Sequence, residues 1–222
     1  MSDIARRLEA VRQSLPGHVR LVAVSKFHPA SAIAEAYNAG QRLFGESRVQ
    51  ELLEKEPVLP GDIHWHFIGH LQTNKVKALV GHADMIESVD SDRLLRIIDD
   101  CSQRAGVVSR VLMQVHVAQE ETKFGFSPDE LYGWFAAGGY RTLKATHICG
   151  LMAMASNTDD QARVAADFQQ VARLMERIRH DFGELEGFDT LSMGMSHDYP
   201  LAIAAGANLV RVGSMIFGER EY

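Results

Sequence analysis

The chain has 222 residues, of which 46% are hydrophobic and 23% charged, the balance of a folded globule and not of a disordered or fibrous chain. A net charge of -6 leaves no basic footprint for nucleic acid. Two cysteines, Cys101 and Cys149, are too few and too isolated for a disulfide framework or a zinc site. No apolar run approaches the ~18 residues of a membrane span, and the N-terminus lacks the apolar stretch of a signal peptide. The expectation is a cytoplasmic protein with no membrane or nucleic-acid partner.

Short apolar runs and helical patterns then alternate along the chain. Ile4, Leu8, Val11 and Leu15 fall at helical spacing and Pro16-Gly17 stops them, which predicts a helix over 4–15. A continuous β-branched run predicts a strand over 19–26, and an Ala-rich helix follows over 30–39. Further strands are expected over 41–47, 63–69, 85–90, 110–118, 144–154, 190–196 and 209–218. Helical patterns occupy 91–105, 159–182 and 198–205, with Asn157 or Thr158 as the cap of the longest. Eight strands alternating with helices imply a parallel sheet. Eight such units invite closure into a single α/β domain over 1–222, a (β/α)8 TIM barrel with an extra N-terminal helix. The rival is a doubly wound open sheet, which would carry a glycine-rich loop after its first strand. Here that strand runs into Ser25-Lys26-Phe27-His28-Pro29.

Lys26 ends an otherwise apolar strand and shares the parity of Val22 and Val24. Chemistry in a barrel sits at the C-terminal ends of the strands. A partly desolvated lysine there has a depressed pKa and can form a Schiff base. At the other end of the chain, strand seven ends Gly194-Met195-Ser196 and strand eight runs into Arg211-Val212-Gly213-Ser214. Glycine lets backbone approach an anion and serine hydroxyls donate to it, so these two loops suit a phosphate. Barrel closure makes strand eight the neighbour of strand one, which places Lys26 beside Arg211 and Gly213-Ser214. A Schiff-base lysine, an arginine and a phosphate cradle together suggest pyridoxal 5'-phosphate (PLP). A Schiff-base aldolase acting on a sugar phosphate competes on the same features.

Several other residues invite a plainer reading. His64 and His66 share a strand face in an H-x-H pattern, but no further ligands accompany them, and no metal is expected. Lys75 and Lys77 read as surface lysines; Lys123, in the loop after strand five, is placed to contact an incoming anion. Glu46 and Glu51 read as a strand end and a solvated helix face.

The motifs VAVSK at 22–26, FGE and VQE within 44–51, WHFIGHLQTNK at 65–75, TKFGF at 122–126, GLMAM at 150–154, LSMGMS at 191–196 and VRVGSMIFGER at 210–220 span nearly the whole chain. In that order they resemble the pyridoxal phosphate homeostasis protein family, whose fold is similar to the barrel domain of alanine racemase. The resemblance implies that Lys26 is the Schiff-base lysine holding PLP as an internal aldimine. It implies that Ser196, Gly213 and Ser214 hold the phosphate and that Arg211 faces the pyridine nitrogen. Met193 and Met195 would lie near the cofactor, and His66 would pack or hydrogen-bond near the pocket. The chain departs from the family pattern at Ser47-Arg48, where Asn-Tyr is usual, at His70, where proline is usual, and at His197-Asp198, where two acidic residues are usual.

A guanidinium beside the pyridine nitrogen keeps that nitrogen unprotonated and the ring a poor electron sink, which disfavours transamination and decarboxylation. Racemisation needs an acid/base on each face of the α-carbon. In the resembling racemase the second group is a tyrosine from a separate domain, for which this sequence, running to Tyr222, shows no counterpart. The expected function is therefore PLP binding in cofactor homeostasis, buffering or delivering PLP to apo-enzymes. An amino-acid racemase is the alternative, and a monomer is the expected state.

Overall fold

The computed structural model describes residues 2–118 and 124–218, and in it the alternation closes on itself. Helix α1 (Asp3–Gln13) precedes strand β1 (Arg20–Val24). There follow α2 (Ala30–Asn38), β2 (Leu43–Glu46), α3 (Val49–Lys55), β3 (His64–Phe67), α4 (Val76–Leu79) and β4 (Met85–Val89). The second half holds α5 (Asp92–Ala105), β5 (Ser109–His116), α6 (Pro128–Ala136), β6 (Thr146–Met154) and α7 (Gln161–Asp181). It ends with β7 (Thr190–Ser192), α8 (Tyr199–Ala204), β8 (Leu209–Val212) and α9 (Ser214–Phe217). The strands pair in chain order and β8 returns to β1, giving a closed parallel barrel. Arg20 stands level with Leu209 and Ala23 with Val212.

Strand alternation divides the apolar residues into two populations. The larger lies between barrel and helices and includes Phe44, Phe67, Phe135 and Phe168, all fully buried. Each such side chain contributes roughly 1.5–3 kcal/mol through burial. The smaller fills the lumen: Val22, Met85, Leu112, Cys149, Met152 and Leu209. Helix α1 packs on α2 and α9 through Leu8 and Val11. Arg12 ties it to the barrel by donating to the Ala39 carbonyl at 2.7 Å and to Gln41 Oε1 at 3.0 Å. Gly150, at φ +149°, sits where the β5–β6 register shifts; a Cβ there would stand 1.8 Å from the Thr190 carbonyl oxygen.

The eight expected strands and the extra helix are all present, with differences at the edges. The eighth strand stops at Val212, because the chain turns at Gly213 into α9 instead of continuing to 218. Asp160, not Asn157 or Thr158, caps α7, accepting from the N–H groups of Ala162 and Arg163. Helix α6 is hidden from periodicity because it buries only Leu131 and Phe135; its start is set by a Ser127–Glu130 capping box with Pro128 in the first turn. Helices α3, α4 and α9 are too short to show a period of their own. No helix among the described residues is long and apolar enough to cross a membrane.

Candidate functional site

Above the apolar filling of the lumen, the same strand faces turn polar. Glu87 is two residues beyond Met85, and Arg211 two beyond Leu209, so each points inward one layer higher. Arg211 Nη1 donates to the Ser192 carbonyl at 2.9 Å and to Ser192 Oγ at 2.5 Å; Nη2 donates to the Ala153 carbonyl at 3.0 Å. Ser192 Oγ donates to Glu87 Oε2 at 2.6 Å, and Arg211 Nη1 stands 3.5 Å from the same oxygen. His66 Nδ1 lies 2.6 Å from Glu87 Oε1. All four side chains are buried. Burial alone would raise the Glu87 carboxyl, but hydrogen bonds from His66 and Ser192 and the charge of Arg211 outweigh it and hold the group below the usual carboxylate range. Burial pulls the Arg211 guanidinium below its ordinary value, with Glu87 acting in the opposite sense. The layer is thus a cation fixed in place by its own counter-ion.

The next layer is open. A cavity of about 190 Å³ is lined by Lys26, Ser196, Arg211, Gly213, Ser214 and Met195, together with Val24, Ile68, Met154 and His197. Lys26 and Ser196 are half-buried, while Ser214, Met195 and His197 are exposed. Gly194, at φ +90°, makes the turn after β7. A Cβ there would come within 2.7 Å of Tyr199 and Ala202, and its carbonyl accepts from the Arg211 N–H at 3.0 Å. Asp198 Oδ1 accepts from the Met195 N–H at 2.6 Å and fixes the rest of that loop. At α9 the first N–H groups have no partner inside the segment, as at any helix start.

The loop carrying Lys26 is held from behind. Phe27 adopts φ +68°, the one non-glycine residue at positive φ among those described. Its N–H donates to Glu51 Oε1 at 2.6 Å. Lys55 Nζ donates to Glu51 Oε1 at 2.6 Å, to Glu46 Oε1 at 2.8 Å and to the Ser25 carbonyl at 3.1 Å. Ser25 Oγ also donates to Glu46 Oε1, at 2.6 Å, whereas Glu46 Oε2 is buried without a hydrogen-bond partner among the described residues. Burial pushes the Glu46 carboxyl up to about 7, against the pull of Lys55.

Of the residues singled out in the sequence, Lys26, Ser196, Arg211, Gly213, Ser214 and Met195 meet at one cavity. His66 lies one layer below it, on Glu87. Met193 does not line it: strand alternation turns Ser192 inward and Met193 outward, into the core under the helices. His64 is exposed at the opposite end of β3, beside Asp84. Lys123 lies outside the described residues. Glu51 does not sit on a solvated face; it is drawn in by the Phe27 N–H and by Lys55. Glu87, Ser192 and Lys55 are site neighbours that motif reading passes over. For Glu87 and Ser192 the signal is a polar residue inside an apolar run, as in Met85-Ile86-Glu87-Ser88-Val89, whereas Lys55, between Glu54 and Glu56, carries no such signal.

Comparison with known proteins shows the family and the fold. The alanine racemase N-terminal domain family matches residues 1–221. The pyridoxal phosphate homeostasis protein of Schizosaccharomyces pombe is 39% identical over 99% of this chain and 94% of that protein. The protein of the same name from Escherichia coli K12 is 36% identical over 100% and 99%. PipY of Synechococcus elongatus, solved with PLP bound, is 40% identical and superposes with a TM-score of 0.88 over 97% of this chain and 100% of that one. An alanine racemase of Clostridium difficile shares the fold, with a TM-score of 0.72 at 14% identity over 99% of this chain and 56% of that one. With nearly the full length aligned at these identities, the chain belongs to the pyridoxal phosphate homeostasis protein family, within the alanine racemase N-terminal domain family.

Proposed function

We propose that this chain binds PLP at the C-terminal mouth of its barrel, held on Lys26, and serves PLP homeostasis by taking up and giving up the cofactor. The observation that carries the reading is the convergence of Lys26, Arg211, Ser196, Gly213 and Ser214 on one cavity from strands at opposite ends of the chain. The donor set fits the group. Two hydroxyls and glycine-flanked backbone suit a phosphate dianion, a primary amine suits an aldehyde, and a buried cation suits an unprotonated ring nitrogen. PLP brings an aldehyde that condenses with an amine to an imine, releasing one water. The chain's own residues do the rest. Lys26 supplies the amine, Ser196 and the Gly213-Ser214 turn orient the phosphate, and Arg211 holds a positive charge against the ring nitrogen. The names of the relatives support homeostasis. So does the exposure of Ser214, Met195 and His197, which leaves one side of the cavity at solvent and favours exchange. We take residues 1–222 as one PLP-binding domain acting as a monomer in the cytoplasm, with apo forms of PLP-dependent enzymes as recipients.

The test mixes PLP-loaded protein with an apo-transaminase while free PLP is scavenged. Recovery of transaminase activity is expected, as is a borohydride-trapped adduct on the peptide holding Lys26. Alanine and serine are assayed in parallel for racemisation. No transfer, together with turnover at the ~1–1000 per second of ordinary enzymes, would replace the carrier by a racemase.

A further inference from the structure

The amine of a Schiff-base lysine is useful only if its backbone is aimed, and the Lys26 backbone is gripped on both sides. The Ser25 carbonyl, which belongs to the peptide group before Lys26, accepts from Lys55 Nζ at 3.1 Å. The Phe27 N–H, which belongs to the peptide group after it, donates to Glu51 Oε1 at 2.6 Å. Glu51 and Lys55 are one turn apart on α3 and bridged to each other at 2.6 Å. Glu46 anchors the pair to the barrel wall. We propose that Glu51 and Lys55 are positioning residues that clamp the two peptide groups flanking Lys26 and so aim its amine into the cofactor cavity. This rests on the reading of Lys26 as the residue that holds PLP.

Four further observations point to a clamp and not to a simple ionic tie between helix and strand. Phe27 sits at φ +68°, where a bulky side chain persists only if its surroundings over-determine it. A hydrogen bond from its own N–H to a carboxylate is such a determinant. The Phe27 ring lies under the Arg48 guanidinium at 4.7 Å, and the His28 ring stacks on Phe217 of α9 at 5.1 Å. The turn is therefore tied to the Lys26 side of the cavity through α3 and to the Ser214 side through α9. Helix α3 also buries Val49 and Leu52 in the core, so the clamp is mounted on a fixed element.

Glu51→Ala removes the acceptor for Phe27; Glu51→Gln keeps an oxygen there. Two measurements are made on each variant and on the parent: affinity for PLP, and the rate at which acetic anhydride acetylates Lys26 in PLP-free protein relative to a free amine standard. Loss of a charge-assisted hydrogen bond in the clamp predicts PLP affinity down about ten- to a hundredfold in Glu51→Ala. It also predicts Lys26 acetylated severalfold faster, with both values largely restored in Glu51→Gln. A purely structural tie would lower the melting temperature without moving Lys26 reactivity in protein that is still folded. Parental PLP affinity and parental acetylation in folded Glu51→Ala overturn the clamp. If that variant does not fold, Lys55→Gln carries the same comparison with the same expected changes. A parent that binds no PLP would refute the functional reading alone, since the acetylation rates still decide the clamp.

Discussion

Replacing Glu46 with glutamine should stabilise the protein at pH 8 and change little at pH 5. Glu46 is fully buried at the end of β2, with one oxygen shared by Ser25 and Lys55 and the other without a partner among the described residues. Burial lifts its carboxyl from 4.5 to about 7, against the attraction of Lys55. Between those values the folded protein keeps a proton that the unfolded chain has released, so stability falls as pH rises through the window, and the loss is complete above the upper value. At about 1.4 kcal/mol for each pH unit, the fall amounts to about 3 kcal/mol. Glutamine has the same shape, keeps an acceptor for Ser25 and Lys55, and carries no titrating proton. Urea unfolding of both proteins at half-unit steps from pH 5 to 8 gives the difference in stability, in which every other titrating group cancels. That difference should grow in favour of Glu46→Gln by about 2.5 kcal/mol across the range, since the first half-unit of the window lies below pH 5. A difference that stays flat, or that shrinks as pH rises, would refute the assignment of a buried, proton-holding carboxyl to this position.

Three further outcomes follow from the geometry. Glu87→Leu strands the Arg211 guanidinium in the lumen without its counter-ion and should cost about 3–5 kcal/mol, read as a fall of about 10 °C in the thermal midpoint. Ser196→Ala should weaken PLP binding about ten- to a hundredfold; in the parent, pyridoxal without its phosphate should bind poorly, and equal affinity for the two would remove the phosphate assignment. Gly150→Ala drives a methyl group into the Thr190 carbonyl and should lose 3 kcal/mol or more, about the upper range for overpacking, in urea unfolding; parental stability would show that the β6–β7 pairing yields at this point.

The barrel was legible because its strands are buried on both faces and read as apolar runs, such as Leu21 to Val24 and Val111 to Met113. The cavity residues were legible because glycine-serine pairs and a lone lysine are conspicuous at the ends of such runs. The layer beneath was not. Glu87 contacts Arg211 and Ser192 across the lumen from strands far apart in the chain, and nothing local in Met85-Ile86-Glu87-Ser88-Val89 announces which partner waits there. The burial of Glu51 escaped for a related reason: its acceptor role depends on the positive φ of Phe27, a backbone choice no residue type in that turn signals. Met193 and Met195 share one strand parity, opposite to Ser192, and the turn at Gly194, at φ +90°, is what lets Met195 reach the cavity while Met193 stays in the core under the helices.

Closing the ring between the first strand and the last also sets a schedule for synthesis. Lys26 leaves the ribosome early, whereas Arg211 and Ser214 are among the last of the described residues to emerge. An N-terminal fragment therefore carries the amine without the cationic partner or the hydroxyl that the finished cavity adds. If the cofactor is held as proposed, a nascent chain does not capture it tightly until β8 has docked beside β1. Any ligand held across that seam stabilises only the completed ring, and by mass action it draws newly made chains toward closure.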